Sequence, residues 1–228
     1  MYTCKVILIK KEDGDTFTFV MEKPANFKYL AGQYGIFEYK TKEEIVRRSY
    51  SFSSSPTEDT LAVTARIIPN GKMTSYLADI IPGDSLSFNG PVGKFSMEGQ
   101  KNVVLIGGGS GVTPFRSMIK YAIDKNLDAG ITLIYGARNP REILFNEEFV
   151  SFLKNLRFKM YLTVDRPDDA WKFHTGFIDA GFIKEATESI VTGRSYFLCG
   201  PPLMLSAIQK SLLSLGVPEG SIVLDAWG

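Results

Sequence analysis

The chain has 228 residues, 44% of them hydrophobic and 22% charged, with 21 Gly and 11 Pro. That composition suits a globular protein with one large domain or two small ones. Lys and Arg total 26 against 25 Asp and Glu, so a formal net charge of +1 provides no overall field to draw the chain to nucleic acid or an anionic membrane.

Cys4 and Cys199 are the only cysteines, far apart and without CxxC companions. A cluster held by four thiolates is thereby excluded within this sequence, a disulfide framework has no support, and no metal site is expected. No apolar run approaches the ~20 residues of a membrane-spanning helix. The opening residues MYTCKVILIKKEDGD read as a strand rather than a secretory signal, so a cytoplasmic location is the expectation.

Taken in order, residues 1–98 read as short strands at 3–10, 16–21, 35–39, 48–52, 61–67 and 85–88. They are broken at Pro24, Gly32, Pro56, Pro69-Asn70-Gly71, Pro82-Gly83 and Gly90-Pro91. Such spacing predicts an antiparallel barrel or sandwich. Residues 73–80 carry the apolar spacing of a short helix. Lys42-Glu43-Glu44 reads as a solvated loop.

The rhythm changes near residues 97–101. Asn102-Val103-Val104-Leu105-Ile106 is a continuous apolar run, the mark of a strand buried on both faces. Strand-like runs recur at 131–135, 158–164, 196–198 and 222–224, with helices expected at 113–124, 146–154, 178–186 and 202–213. Alternation of this kind predicts a parallel sheet covered by helices. The expected organisation is an antiparallel β-barrel over 1–98 followed by a Rossmann-like α/β domain over 99–228.

The loop Gly107-Gly108-Gly109-Ser110-Gly111-Val112-Thr113-Pro114 joins a buried strand to a helix. Glycines admit a ligand close to the backbone, and a helix N-terminus offers free N–H donors to a phosphate. Pro114 suits the first helical turn. A tight strand–helix turn without a ligand is the alternative. The loop departs from GxGxxG at Val112, and the next strand ends in Gly136-Ala137-Arg138 rather than an acidic residue, so a simple dehydrogenase fits poorly.

In the β half, Arg47-Arg48-Ser49-Tyr50-Ser51-Phe52-Ser53-Ser54 packs cations, an aromatic and hydroxyls into one strand. Strand alternation places Arg48, Tyr50 and Phe52 on one face and Ser49, Ser51 and Ser53 on the other, unless the strand ends or bends here. A flavin ring needs a flat apolar neighbour, hydrogen bonds to its heteroatoms and a cation near its phosphates. An exposed Ser-rich edge strand is the alternative.

With these segments in this order, the chain resembles the ferredoxin–NADP reductase superfamily along essentially its whole length. Arg48-Ser49-Tyr50-Ser51 matches the family's R-x-Y-S motif. The resemblance implies that Arg48 contacts the flavin phosphate, Tyr50 lies against the isoalloxazine and Ser51 hydrogen-bonds near N5. Gly71-Lys72-Met73-Thr74, followed by Ser75, resembles the turn whose backbone amides and hydroxyl hold the flavin pyrophosphate, with Arg66 beside the ribityl chain.

The second half carries the resemblance further. Residues 107–114 resemble the family's pyrophosphate loop, with Thr113 near the nicotinamide. Tyr135-Gly136-Ala137-Arg138 resembles the segment beside the adenosine ribose. Cys199-Gly200-Pro201-Pro202 resembles the turn whose cysteine faces nicotinamide and flavin, although Cys199 alone reads as a core residue. Trp227 would cap the flavin face or simply pack. His174 reads as a surface or supporting residue.

The resemblance implies hydride transfer from NADH or NADPH to bound FAD (FMN being the alternative), with Ser51 and Cys199 beside the reacting atoms. Electrons would pass to ferredoxin, flavodoxin, an oxygenase component or free flavin. Val164-Asp165-Arg166-Pro167-Asp168-Asp169 has Asp165 where NADPH-preferring relatives have serine. A carboxylate accepts from ribose hydroxyls and repels a phosphate, while Arg166 favours the phosphate, so the reading leans to NADH. Alternatives are a free-flavin reductase, an electron-transfer subunit of a larger complex, and a nucleotide-binding regulator without flavin. Intact Arg48, Tyr50 and Ser51 speak against the last.

Overall fold

Residues 1–226 are described by the structure, a computed structural model. Its first half holds strands β1 (Tyr2–Asp13), β2 (Thr16–Glu22), β3 (Tyr34–Lys40), β4 (Ile45–Ser51), β5 (Thr60–Arg66) and β6 (Ser85–Val92). They form one antiparallel sheet in the order β4-β3-β6-β1-β2-β5. Its two edges meet at a Phe52–Val63 bridge and a 2.8 Å hydrogen bond from Ser53 N to Ala62 O, closing the barrel. Period-2 patterning sends Phe19, Met21, Leu61, Val63, Phe37 and Phe88 into the interior. Phe52 and Phe88 are fully buried there, edge to face at 5.6 Å. Each such ring contributes about 1.5–3 kcal/mol by burial. The one helix, α1 (Lys72–Asp79), closes the barrel with Met73 and Leu77.

The second half alternates β7 (Asn102–Gly108), α2 (Thr113–Asp124), β8 (Gly130–Ala137), α3 (Asn146–Phe152), β9 (Phe158–Val164), β10 (His174–Thr175), α4 (Ala180–Ala186), β11 (Ser195–Gly200), α5 (Pro202–Ser214) and β12 (Ile222–Ala226). All six strands are parallel, ordered β10-β9-β8-β7-β11-β12. Along β7, Val103 and Leu105 enter the core beneath α2 and α3, while Val104 and Ile106 enter the one beneath α4 and α5. The continuous apolar run is thus explained by burial on both faces. Ala31, Phe95 and Met97 from the first half belong to the α2-side core, with Phe95 edge-on to Phe197 at 5.4 Å.

Several local expectations shift. The helix expected from residue 178 begins at Ala180, because Asp179 accepts from Phe182 N at 2.8 Å and caps it. The helix expected over 146–154 ends at Phe152. The two-residue strand β10 had no signal of its own; it pairs beside β9, and its His174 ring stacks on Phe182 at 4.0 Å. A short 3₁₀ turn over Gly109–Val112 precedes α2. Among the described residues no helix is long and apolar enough to cross a membrane.

Candidate functional site

Strand order reverses between β7 and β11, and in parallel sheets ligands bind beyond the carboxyl ends of the strands at that point. A cleft of about 900 Å³ opens there and runs across to β4 and β5 of the barrel. This lies near the upper end of the usual ~300–1,000 Å³ for small-molecule sites.

From the barrel, Tyr50, Ser51 and Arg66 line the cleft, joined by Ser49, Thr64 and Ile68. Tyr50 is half-buried, edge to face with Phe37 at 5.8 Å, and burial pushes its phenol up to about 12. The exception to two-face alternation applies here, since Ser49, Tyr50 and Ser51 all reach the cleft. The cause is local: β4 is a sheet edge that ends at Ser51, and Phe52 turns into the barrel interior.

The parallel domain contributes Gly108, Gly109, Ser110, Gly111, Thr113, Ala137, Arg138, Asp165, Gly200 and Pro201 to the lining. Two glycines here have definite structural reasons. A Cβ on Gly111 would fall 2.2 Å from the Cys199 carbonyl oxygen, so the loop touches β11 backbone to backbone. Gly109 has φ +55°, and a Cβ there would meet nothing within 4 Å. Beneath the loop, fully buried Tyr135 donates to the Gly109 carbonyl at 3.1 Å and accepts from Leu144 N at 3.2 Å. Tyr135 thus braces the loop from below, an assignment its place beside the adenosine-ribose motif did not suggest.

Other residues singled out by the sequence lie elsewhere. Arg48 is exposed outside the lining, its guanidinium folded back onto the Arg47 carbonyl at 2.7 Å. Met73 is core, and the Thr74 hydroxyl serves its own turn, donating to Ile68 O and Gly71 O and accepting from Ile68 N. Gly71 lies at the head of α1, also outside the lining. Gly107 and Pro114 are buried behind the loop, and Arg166 is exposed beyond the rim. Cys199 has no exposed surface; it sits one residue below Gly200, its thiol 3.9 Å from Asp225 Oδ2. Trp227 lies outside the described residues.

The structure also brings in groups with no sequence motif. Glu142 lines the cleft, held by Asn139 Nδ2 at 2.7 Å, and Phe177, Leu203 and Met204 form an apolar margin. Thr64 is hydrogen-bonded to Thr18 at 2.7 Å, and Thr18 donates to Glu12 at 2.7 Å, so a buried polar chain ends at the cleft wall. Asp225 is half-buried, and burial pushes its carboxyl up to about 6 against a lowering hydrogen bond from Cys199.

The donor set fits two phosphate-bearing cofactors. Helices α1, α2 and α5 begin without a capping side chain or an acidic residue in the first turn. These helix ends retain the partial positive charge that favours anions, although Thr113 N in α2 already donates to Ser110 O and Pro114 and Pro202 have no N–H to offer. Arg66 and Arg138 add full positive charges within the lining. Hydroxyls and apolar walls flank a space open enough for flat rings.

A closed antiparallel barrel and a parallel nucleotide-binding sheet sharing one cleft define a class of two-domain oxidoreductases. The family described as "Oxidoreductase FAD-binding domain" matches residues 4–97, and "Oxidoreductase NAD-binding domain" matches residues 105–210. One component of the Na(+)-translocating NADH-quinone reductase of Psychrobacter arcticus is 34% identical over 214 residues, covering 86% of this chain and 52% of that protein. The reductase component of a glycine betaine monooxygenase of Chromohalobacter salexigens is 29% identical over 222 residues, covering 93% and 60%. The chain thus spans about half the length of the curated relatives it matches.

Among solved structures, a ferredoxin NADP+ reductase from Neisseria gonorrhoeae with bound FAD and NADP superposes at a TM-score of 0.87. It is 22% identical, with 98% of this chain and 97% of that one covered. The cytochrome b5 reductase domain of Ulva prolifera nitrate reductase superposes at 0.86, with 24% identity and coverages of 98% and 96%. The chain belongs to the oxidoreductases that join an FAD-binding to an NAD-binding domain, and its fold is that of the ferredoxin NADP+ reductase. Its cofactors are FAD and a nicotinamide dinucleotide.

Proposed function

We propose that this protein is a flavoprotein reductase that takes a hydride from NADH in preference to NADPH and delivers electrons to a redox partner protein. The observation that carries the reading is one cleft lined on one side by Tyr50, Ser51 and Arg66 and on the other by residues 108–111, Thr113, Arg138 and Asp165.

Bound FAD would supply the hydride-accepting and electron-delivering chemistry. The rest is placement and electrostatics supplied by the chain. Tyr50 offers its ring as a flat wall, and the Ser51 hydroxyl is a donor at the flavin edge. First-turn amides of α1, with Arg66, hold the flavin phosphates. Arg48 joins them by unfolding from the Arg47 carbonyl, which its exposure permits. Backbone amides of Gly108, Gly109, Ser110 and Gly111, at the head of α2, hold the nucleotide pyrophosphate. Thr113, Gly200 and Pro201 bound the nicotinamide position, and Leu203 and Met204 give it an apolar margin. Cys199 and Asp225 lie just below, a thiol–carboxyl pair that can hold a proton beside the floor.

Preference for NADH is supported by two carboxylates, Asp165 and Glu142, against Arg138 in the lining, with Arg166 outside it. A ribose offers hydroxyls that Asp165 accepts; a 2′-phosphate meets repulsion. The partner is read as an oxygenase component or a ferredoxin-type carrier, supported by the monooxygenase reductase relative.

Steady-state reduction of ferricyanide by the FAD-loaded protein tests this directly. Turnover with kcat/KM at least tenfold higher for NADH is expected; turnover with NADPH alone would overturn the nucleotide assignment, and none with either would overturn the reductase reading.

A further inference from the structure

One face of α2 is bonded to the barrel segment that follows the Ser51 strand. Thr113, Arg116, Ser117, Lys120 and Asp124 recur at helical spacing along it. Thr113 lines the cleft at its head. One turn on, Arg116 has all five N–H groups engaged. Nε and Nη2 donate to Glu148 of α3 at 2.6 and 2.7 Å, and Nη1 and Nη2 to Glu58 of the barrel at 2.9 and 3.2 Å. Nη1 also donates to the Ser53 carbonyl at 2.7 Å. Beside it, Ser117 Oγ donates to the Ser54 carbonyl at 2.6 Å, an oxygen that also accepts from Tyr29.

A guanidinium with two bidentate carboxylates is fixed in direction as well as position, which a lysine ammonium cannot reproduce. Its side chain is only 14% exposed, so water does little to loosen it. The bonded atoms lie three residues from Thr113 on one side and two from Ser51 on the other.

We infer that Arg116 is a positioning residue for hydride transfer, locking α2 to residues 53–58 so that the nicotinamide side of the cleft holds a fixed register against the flavin side. This rests on the reductase reading. Displacements of about 1 Å cost up to ~10²-fold in rate when reacting atoms must meet at van der Waals distance. Glu58 and Glu148 act through Arg116, drawing it from both domains at once.

The test is anaerobic single-turnover reduction of FAD-loaded Arg116→Met, Arg116→Lys and the milder Ser117→Ala by saturating NADH, with FAD content and NADH affinity measured alongside. The expected result is a reduction rate ~10- to 100-fold lower in Arg116→Met, little restored by Lys, at unchanged FAD content and NADH Kd. Ser117→Ala should fall several-fold and keeps the test open if the Arg116 variants do not fold. Full rates in the folded variants, with only a lower Tm, would show a merely structural role and overturn the inference. An unreduced parent protein would instead overturn the reductase reading itself.

Discussion

Cys199 and Asp225 are register partners on neighbouring parallel strands, and the Cys199 thiol donates to the Asp225 carboxylate at 3.9 Å. The pair lies at the carboxyl end of the sheet, directly under the cleft floor at Gly200.

Burial raises the Asp225 carboxyl from 3.8 to about 6, so the folded state holds its proton more tightly than the unfolded chain. Stability from this group is full below about pH 4 and is lost as pH rises through about 6. The Tm advantage of Asp225→Asn over the parent should therefore grow between pH 4 and about 6.5, then level off. A pH-independent difference would show that the carboxyl is not perturbed.

Gly111 and Gly109 should respond differently to alanine. At Gly111 the added carbon meets β11 backbone at 2.2 Å, which cannot move aside, and about 3 kcal/mol of destabilisation is expected. At Gly109 space is open and the cost is the left-handed backbone alone, about 1 kcal/mol. Denaturant midpoints measure both, and equal costs would contradict the close approach of loop and strand.

The fold was largely legible because its signals are local. Alternating Thr and Phe in β2, the unbroken apolar run of β7 and the Gly-rich turn before α2 each declare their element within a few residues. The cleft was legible where motifs sit at strand ends, as with Ser51 and residues 108–113. Arg116, Glu142 and Thr64 were not, because their partners come from elsewhere in the fold: Arg116 meets carboxylates 58 and 32 residues away. Period alone does not fix the strand face at residues 49–51, since β4 ends at Ser51 and exposes both sides to the cleft. Thr74 shows the converse limit: its motif was recognisable, yet its hydroxyl closes its own turn.

Ser51→Ala should leave FAD bound while slowing its reduction. A neutral hydrogen bond is worth ~0.5–1.5 kcal/mol, so roughly a 2- to 10-fold decrease is expected. Unchanged reduction kinetics would remove Ser51 from the mechanism.

Asp165→Asn removes the carboxylate at the edge of the cleft. The kcat/KM for NADPH should rise about tenfold or more, with a smaller loss for NADH. If the ratio of the two nucleotides does not move, Asp165 does not read the ribose.

Hydride transfer within the shared cleft can be followed by anaerobic stopped-flow mixing of FAD-loaded protein with NADH, then NADPH. Rapid bleaching of the yellow flavin absorbance is expected, faster with NADH. A flavin that stays bound and oxidised with both nucleotides would rule out transfer in this cleft.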